Sequence, residues 1–411
     1  MSSLAGTRRR IPPLGLLITG QGLSSLGDQF FVIALPVIVL PRQGTGALAL
    51  ILTVYGVSRL AGLLLGGPLA DRFAPRQIML VADVVRAATV GVLCLLIWTA
   101  QAGIWELCAG SVVLGLAGGA FLPANFSIIP AIVDEPRIQR ATGLNYAVTQ
   151  AVTLGGPVLA GIVVTQLGAG PALGVDVLSY GVSVATLWLI GRGQRYVPAA
   201  APATGGAGLR TVMREFPLLK VIMVLAAIGN IGFAGVLEVG LPVLLQQSVP
   251  AFATAYGIVL GAFGLGALLG SLAASALPAP RHPVRVAVAL LLPQAVLLGG
   301  AGLVQPGVLS ALLFLGVGVA NAASNVMMMT LIQTTVPAEV RGRVSGALLV
   351  ASVGFFPIGA LLAGVLAGAA GPRAVFFVAA ALVGATSVAG LLSRPVRSYA
   401  KGGESHEVRH P

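Results

Sequence analysis

With 411 residues, 57% of them hydrophobic, 9% charged and a mean hydropathy of +0.97, the chain falls far below the roughly 25% charge of soluble domains. No water-soluble core hides that much apolar surface, so the composition excludes a soluble globular protein and requires a polytopic membrane protein. The formal net charge is +12, and its distribution is explained by membrane topology without a nucleic-acid partner.

In chain order, Arg8, Arg9 and Arg10 precede an apolar run over residues 11–40. A basic start before an apolar run is also how a signal peptide begins, but this run is too long and equally apolar segments follow it. It reads as an uncleaved first span. Further spans fall near 47–70, 77–100, 103–128, 141–167 and 171–191. A Pro/Ala/Gly-rich stretch then reads as a linker, and a second set follows near 217–247, 254–277, 284–304, 307–331, 344–369 and 373–393. Most exceed the ~20 residues a bilayer requires. The expected organisation is a six-helix bundle over 1–191, a cytoplasmic linker over 192–216, a second six-helix bundle over 217–393 and a cytoplasmic tail over 394–411.

Twelve spans put both termini on one side. Of the 24 Lys and Arg, Arg42 and Arg373 fall on the opposite side and Arg59 and Arg86 lie within spans; the others share the side of the termini, which the positive-inside rule makes cytoplasmic. A basic juxtamembrane surface attracts anionic lipid. The expected location is the inner or plasma membrane, multi-pass, and the expected oligomeric state is a monomer.

The two sets repeat at a shift of 201 residues. Thr53, Tyr55 and Gly56 recur as Thr254, Tyr256 and Gly257, Pro136 and Arg140 as Pro337 and Arg341, and Gly170-Pro171 as Gly371-Pro372. Parallel six-helix repeats joined by a linker are a transporter architecture. The repeat is broken at one place: Asp71 and Arg72 correspond to Leu272 and Ala273, so a charged corner between the second and third spans is not duplicated.

That corner is Gly66-Gly67-Pro68-Leu69-Ala70-Asp71-Arg72-Phe73-Ala74-Pro75-Arg76. It resembles the signature loop between helices 2 and 3 of the major facilitator superfamily, matching at Gly67, Leu69, Ala70, Asp71, Arg72 and Arg76, with Ala74 in place of a Gly and Pro75 in place of an Arg. Gly156-Pro157-Val158-Leu159-Ala160-Gly161 resembles the helix-5 motif associated with antiporters, through Gly156, Pro157 and Gly161. Val340-Arg341-Gly342-Arg343 resembles the loop between helices 10 and 11. In overall style, around Asp28, Tyr55-Gly56 and Gly66–Arg76, the chain is similar to the drug, macrolide and siderophore exporter branch. One departure is Asn125 in helix 4, where many proton-coupled drug antiporters carry an arginine. The resemblance implies an all-α integral membrane fold of twelve helices in two pseudo-symmetric halves.

Charges inside spans are few, and each costs about 2.5–3.5 kcal/mol at a helix centre even on a lenient scale. Asp28 and Arg59 lie about 17–21 Å deep in consecutive antiparallel spans by helical rise, so they are expected to pair, either as a proton-coupling site or as a permanent ion pair joining two helices. Asp83 and Arg86, three apart on one helix, read with Arg72 and Arg76 as a charge cluster stabilising one conformation, together with Gly67 and Asp71. Glu238 either faces the cavity, as a further proton-coupling candidate, or sits at the headgroup level. Glu106 and Asp176 are expected to be solvated near outer helix ends. Tyr146, Gln150, Asn230, Asn321 and Asn325 are substrate-cavity candidates or interhelical hydrogen-bonding groups, and Met327, Met328 and Met329 an adaptable wall or simple packing.

Two motifs carry no such weight. His406-Glu407-Val408-Arg409-His410 spells H-E-x-x-H one residue from the end of the sequence, in a polar stretch with no enclosing helix. Gly264, Gly266 and Gly270 have the wrong spacing for a dinucleotide fingerprint. There is no phosphate-binding G-x-x-x-x-G-K-[ST], and Cys94 and Cys108 fall in different spans. The expectation is therefore no enzyme, no cofactor and no metal, but a secondary transporter exchanging protons for amphipathic small molecules by alternating access. The alternatives are a proton-coupled nutrient importer, or an uncoupled receptor or lipid scramblase on the same fold.

Overall fold

A helical stretch from Pro13 to Arg72, interrupted at one residue, holds 60 residues, about 90 Å at 1.5 Å per residue and three times the thickness of a bilayer core. It is two spans. Gly44 has φ 79° and ψ −178°, a region essentially reserved for glycine, and the chain reverses there, since Leu17 and Leu69 pack in one cluster. The computed structural model describes residues 13–191, 217–278, 280–336 and 338–398; the linker, the H-E-x-x-H stretch and Pro337 lie outside them.

We label the spans α1 (13–43), α2 (45–72), α3 (Pro75–Trp98), α4 (Ile104–Ile132), α5 (Ile138–Leu167), α6 (Ala169–Ile190), α7 (Leu218–Ser248), α8 (Phe252–Ala276), α9 (Pro283–Leu303), α10 (Val308–Thr335), α11 (338–370) and α12 (Pro372–Leu392). Eleven described helices are long and apolar enough to cross a membrane, and the division at Gly44 makes them twelve. The chain is all-α, with two pseudo-symmetric six-helix halves, as its composition and repeat predict. Between α5 and α6 the repeat shifts register. The turn glycines of equivalent backbone are Gly168 (φ 89°) and Gly371 (φ 83°), so Gly168, rather than Gly170, matches Gly371.

The distribution of the apolar core sets the shape. At the end carrying the α1–α2 turn, one cluster runs through both halves, including Leu48, Ile51, Leu173, Tyr256, Phe314 and Phe376. At the opposite end, where the α2–α3 corner lies, each half has its own cluster: Met79, Ile128 and Leu187 in the first, Ile222, Val288 and Ile332 in the second. The halves are therefore fused at one end and parted at the other.

The repeated Thr-x-Tyr-Gly segments make the fused end. On α2, Thr53 Oγ1 donates to the Pro357 carbonyl of α11 at 3.4 Å, and a Cβ on Gly56 would stand 2.7 Å from the Phe356 ring. On α8, Thr254 Oγ1 donates to the Gly161 carbonyl of α5 at 3.2 Å, and a Cβ on Gly257 would overlap the Pro157 carbonyl. The helix-5 motif is thus part of the seam between halves: Pro157 and Gly161 face α8, while Gly156 faces Gln29 of α1. Gly257→Leu is expected to wedge the α5–α8 seam and shift the molecule towards a state open at the α1–α2 end. Thiol labelling of a cysteine placed at Thr53 checks this; unchanged labelling would mean the seam does not set the conformation.

Candidate functional site

α1, α3 and α6 bring together a polar cluster inside the first half. Arg86 sits between two rings, its guanidinium carbon 4.4 Å from the Phe121 centroid and 4.8 Å from that of Tyr180. Its Nη2 bonds Asp83 Oδ1 at 2.5 Å and its Nη1 lies 3.8 Å from Asp28 Oδ1. The Tyr180 hydroxyl donates to Asp28 Oδ1 at 2.5 Å, and Ser183 Oγ to Asp83 Oδ2 at 2.6 Å. Asp83 is fully buried, whereas the Asp28 side chain stays 43% exposed. One carboxylate is locked inside the bundle and the other faces open space.

That space is a cavity of about 460 Å³ between the halves, lined by Asp28, Arg59, Arg86, Asn125, Tyr180 and Glu238 among others. Glu238 reaches it from the second half on a π-helical turn, Val236–Gly240, within α7; such turns re-aim side chains and recur at functional sites. The structure thus places Glu238 in the cavity wall. Across the cavity it feels the positive charge of Arg59.

Depth alone predicts Asp28 opposite Arg59, and the structure gives Asp28 different partners, Arg86 and Tyr180. Helical rise fixes height but not azimuth, and it is the Arg86 side chain of α3 that reaches Asp28. Arg59 is in no ion pair within 4.0 Å among the described residues. It lies 5.9 Å over the ring of Tyr55, one turn earlier on α2, and its Nε is buried without an acceptor. Asp83 and Arg86 correspondingly do not join the α2–α3 corner. Asp176 departs furthest from expectation: it is fully buried rather than solvated.

At the corner, Pro75 begins α3 at a position where its missing N–H is no loss. Arg76 reaches into its own half, donating from Nε to the Leu187 carbonyl at 2.6 Å and from Nη2 to the Trp188 carbonyl at 3.3 Å. It satisfies the C-terminal carbonyls of α6, where a cation is favoured. Gly67 has open space where its side chain would be; Gly66 is the close approach, with a Cβ falling 2.7 Å from Pro123 of α4. Arg72 is exposed, and the Asp71 side chain lies outside the described residues.

The asparagines gather in a second cavity, about 360 Å³, within the other half. Asn230, Gln294, Asn321, Asn325, Met328 and Met329 are among its lining. Asn325 donates to Asn321 Oδ1 at 3.0 Å, Asn230 donates back along its own helix to the Ala226 carbonyl at 2.9 Å, and the buried Gln294 Oε1 has no donor. Tyr146 and Gln150 line neither cavity; Asn145 and Thr149, on an adjacent face of α5, line the central one. Sequence reasoning missed Tyr180, Ser183, Asn145, Thr149 and Gln294. The signal for α6 was present: Asp176, Ser179, Tyr180 and Ser183 recur at the three- and four-residue spacing of one helical face.

The family model described as Major Facilitator Superfamily matches residues 17–356 and 253–410. The multidrug efflux pump Tap of Mycobacterium tuberculosis is 26% identical over 386 residues, covering 89% of each chain. The enterobactin exporter EntS of Shigella dysenteriae serotype 1 is 24% identical over 347 residues, 81% of this chain and 80% of that one. Among solved structures, a bacterial homologue of the human lysosomal transporter Spinster, inward-facing and unoccupied, superposes with a TM-score of 0.68 at 17% identity, covering 96% of this chain and 98% of that one.

Proposed function

The chain belongs to the major facilitator superfamily and is a multi-pass membrane transporter, and from that premise we propose that it exports amphipathic small molecules in exchange for protons. The observation that carries this reading is the central cavity, where an exposed carboxylate, Asp28, and a second one, Glu238, line one space from opposite halves, together with Arg59 and apolar side chains such as Phe31, Val32, Leu52 and Phe356. A lining that sets apolar side chains beside polar and charged ones suits substrates that are themselves amphipathic, and the names of the relatives favour efflux.

The lysine and arginine bias supports a cytoplasmic position for the parted end of the halves, and on that orientation the arrangement is read as the inward-open state. Rocking of the halves then closes the corner end and opens the seams at Gly56 and Gly257. A proton taken up at Asp28 neutralises a charge that differs in exposure between the two states and so biases their populations. The Asp71/Arg72/Arg76 corner holds the cytoplasmic side of the first half, through Arg76 and the end of α6.

The test is transport by the protein in proteoliposomes over a panel of amphipathic compounds, with an imposed proton gradient, with and without an uncoupler. Extrusion abolished by the uncoupler supports the reading. Accumulation in the direction of the proton gradient would make it an importer, and movement of lipid or solute indifferent to the uncoupler would remove the coupling.

A further inference from the structure

Helix α6 buries a carboxylate for which the cavity has no use. Asp176 is fully enclosed, and neither of its side-chain oxygens accepts a hydrogen bond. The Ser179 hydroxyl donates instead to the Asp176 backbone carbonyl at 2.7 Å. On the side of α1 the packing is tight, since a Cβ on Gly27 would stand 2.5 Å from Asp176 Oδ1. An ionised carboxylate without donors in such a place is far less stable than the neutral acid.

The surrounding charges leave the same deficit. Asp28 faces Asp176 from α1, Arg86 from α3 and Tyr180 from one turn along α6, while Asp83 of α3 lies against Arg86 and Ser183. From α5 the titratable groups are Arg140 and Tyr146, both exposed near the opposite end of the bundle. Arg86 is thus one cation for three carboxylates. Asp83 takes its closest contact and a serine hydroxyl as well. Asp28 has the Tyr180 hydroxyl, a longer contact to Arg86 and access to cavity water. Asp176 has Arg86 only at longer range, the Ser179 hydroxyl beside it is committed to the backbone carbonyl, and it does not line the cavity.

We propose that Asp176 is a proton-binding site, occupied in the state the structure shows, and that its bound proton is what allows the neighbouring Asp28 to exchange protons with the cavity. With Asp176 neutral, the group of Asp28, Asp83, Asp176 and Arg86 carries one net negative charge. A proton from cavity water onto Asp28 brings it to zero, and its return to water restores the charge. Were Asp176 ionised, the group would carry two negative charges and Asp28 would hold its proton against release. This role in coupling rests on the export reading above; the occupancy of Asp176 does not.

Infrared spectroscopy of the purified protein in lipid nanodiscs at neutral pH tests the occupancy without any substrate. Exposed carboxyls are ionised there, so a protonated-carboxyl C=O band reports buried acids. The expected result is a band component that shifts in deuterium oxide, is lost in Asp176→Asn and remains in both Asp28→Asn and Glu238→Gln, the other cavity carboxyl. A wild-type spectrum without the band, or one that Asp176→Asn leaves unchanged, overturns the proposal. If Asp176→Asn fails to fold, Asp176→Glu replaces it, with a displaced band expected and an unmoved band overturning the assignment. In proteoliposomes that show uncoupler-sensitive transport with the wild type, Asp176→Asn is expected to keep it within about twofold, because a neutral amide replaces a neutral acid. Its loss in a folded variant would show that Asp176 is charged, and would overturn the role assigned to it while leaving the export reading standing.

Discussion

Asp28→Asn is expected to abolish gradient-driven transport while leaving the fold and substrate binding in place. Asparagine resembles the protonated acid, so the variant is held in the proton-loaded form. The Tyr180 hydroxyl that donates to Asp28 at 2.5 Å still finds a carbonyl oxygen, and Arg86 keeps its shorter contact to Asp83, so the bundle loses little. A proton driven by ~100 mV supplies about 2.3 kcal/mol, enough for roughly a fifty-fold gradient of a neutral substrate. In the variant that ratio should fall towards one, with dissociation constants for binding changed by less than about threefold. Uptake into proteoliposomes and equilibrium binding to the detergent-purified protein measure the two separately. If Asp28→Asn still concentrates substrate under a proton gradient, Asp28 is not the coupling site and Glu238, on its π turn facing the same cavity, becomes the first candidate.

The largest loss of stability is expected from Arg86→Met. Asp83 is fully buried and its 2.5 Å partner is Arg86; removing the cation leaves an enclosed charge that typically costs about 3–5 kcal/mol, a large part of an ordinary folding free energy of about 5–15 kcal/mol. Arg86→Lys should restore only part of this, because the flat guanidinium is held between the Phe121 and Tyr180 rings and an ammonium does not stack in that way. Arg86→Met combined with Asp83→Asn should regain most of the loss by removing the orphaned charge. Thermal unfolding followed by size-exclusion chromatography reads all three. A single variant Arg86→Met as stable as the wild type would mean that Asp83 is already neutral and that Arg86 serves Asp28 alone. By contrast, Arg59→Ala should be mild for folding, since Arg59 makes no ion pair among the described residues.

Membrane residence, the number of spans and the division into two halves are properties of one-dimensional pattern, and residue order alone carries them. Apolar length against bilayer thickness yields the spans even where α1 and α2 meet at a single residue, Gly44, with no loop between them. The constant shift between Thr53-Tyr55-Gly56 and Thr254-Tyr256-Gly257 announces the repeat, and both copies seat on a proline-bearing helix of the other half. The cavity-lining carboxylates Asp28 and Glu238 are legible for a similar reason: a carboxylate in a span is conspicuous whatever surrounds it. Which groups meet is another matter. Rise along a helix gives depth, but the rotation of each helix about its axis depends on side-chain packing against neighbours far away in sequence. So Arg86, rather than Arg59, came to Asp28, Arg76 turned to the carbonyls of α6, and Tyr146 gave way to Asn145 and Thr149. Asp176 was misread because nearness to a helix end suggests water, while the close approach at Gly27 of α1 shuts water out. Sequence periodicity determined how the chain crosses the membrane; only the packing of α1, α3, α4 and α6 around Arg86 decided which of three carboxylates is paired, which is exposed and which is left to hold a proton.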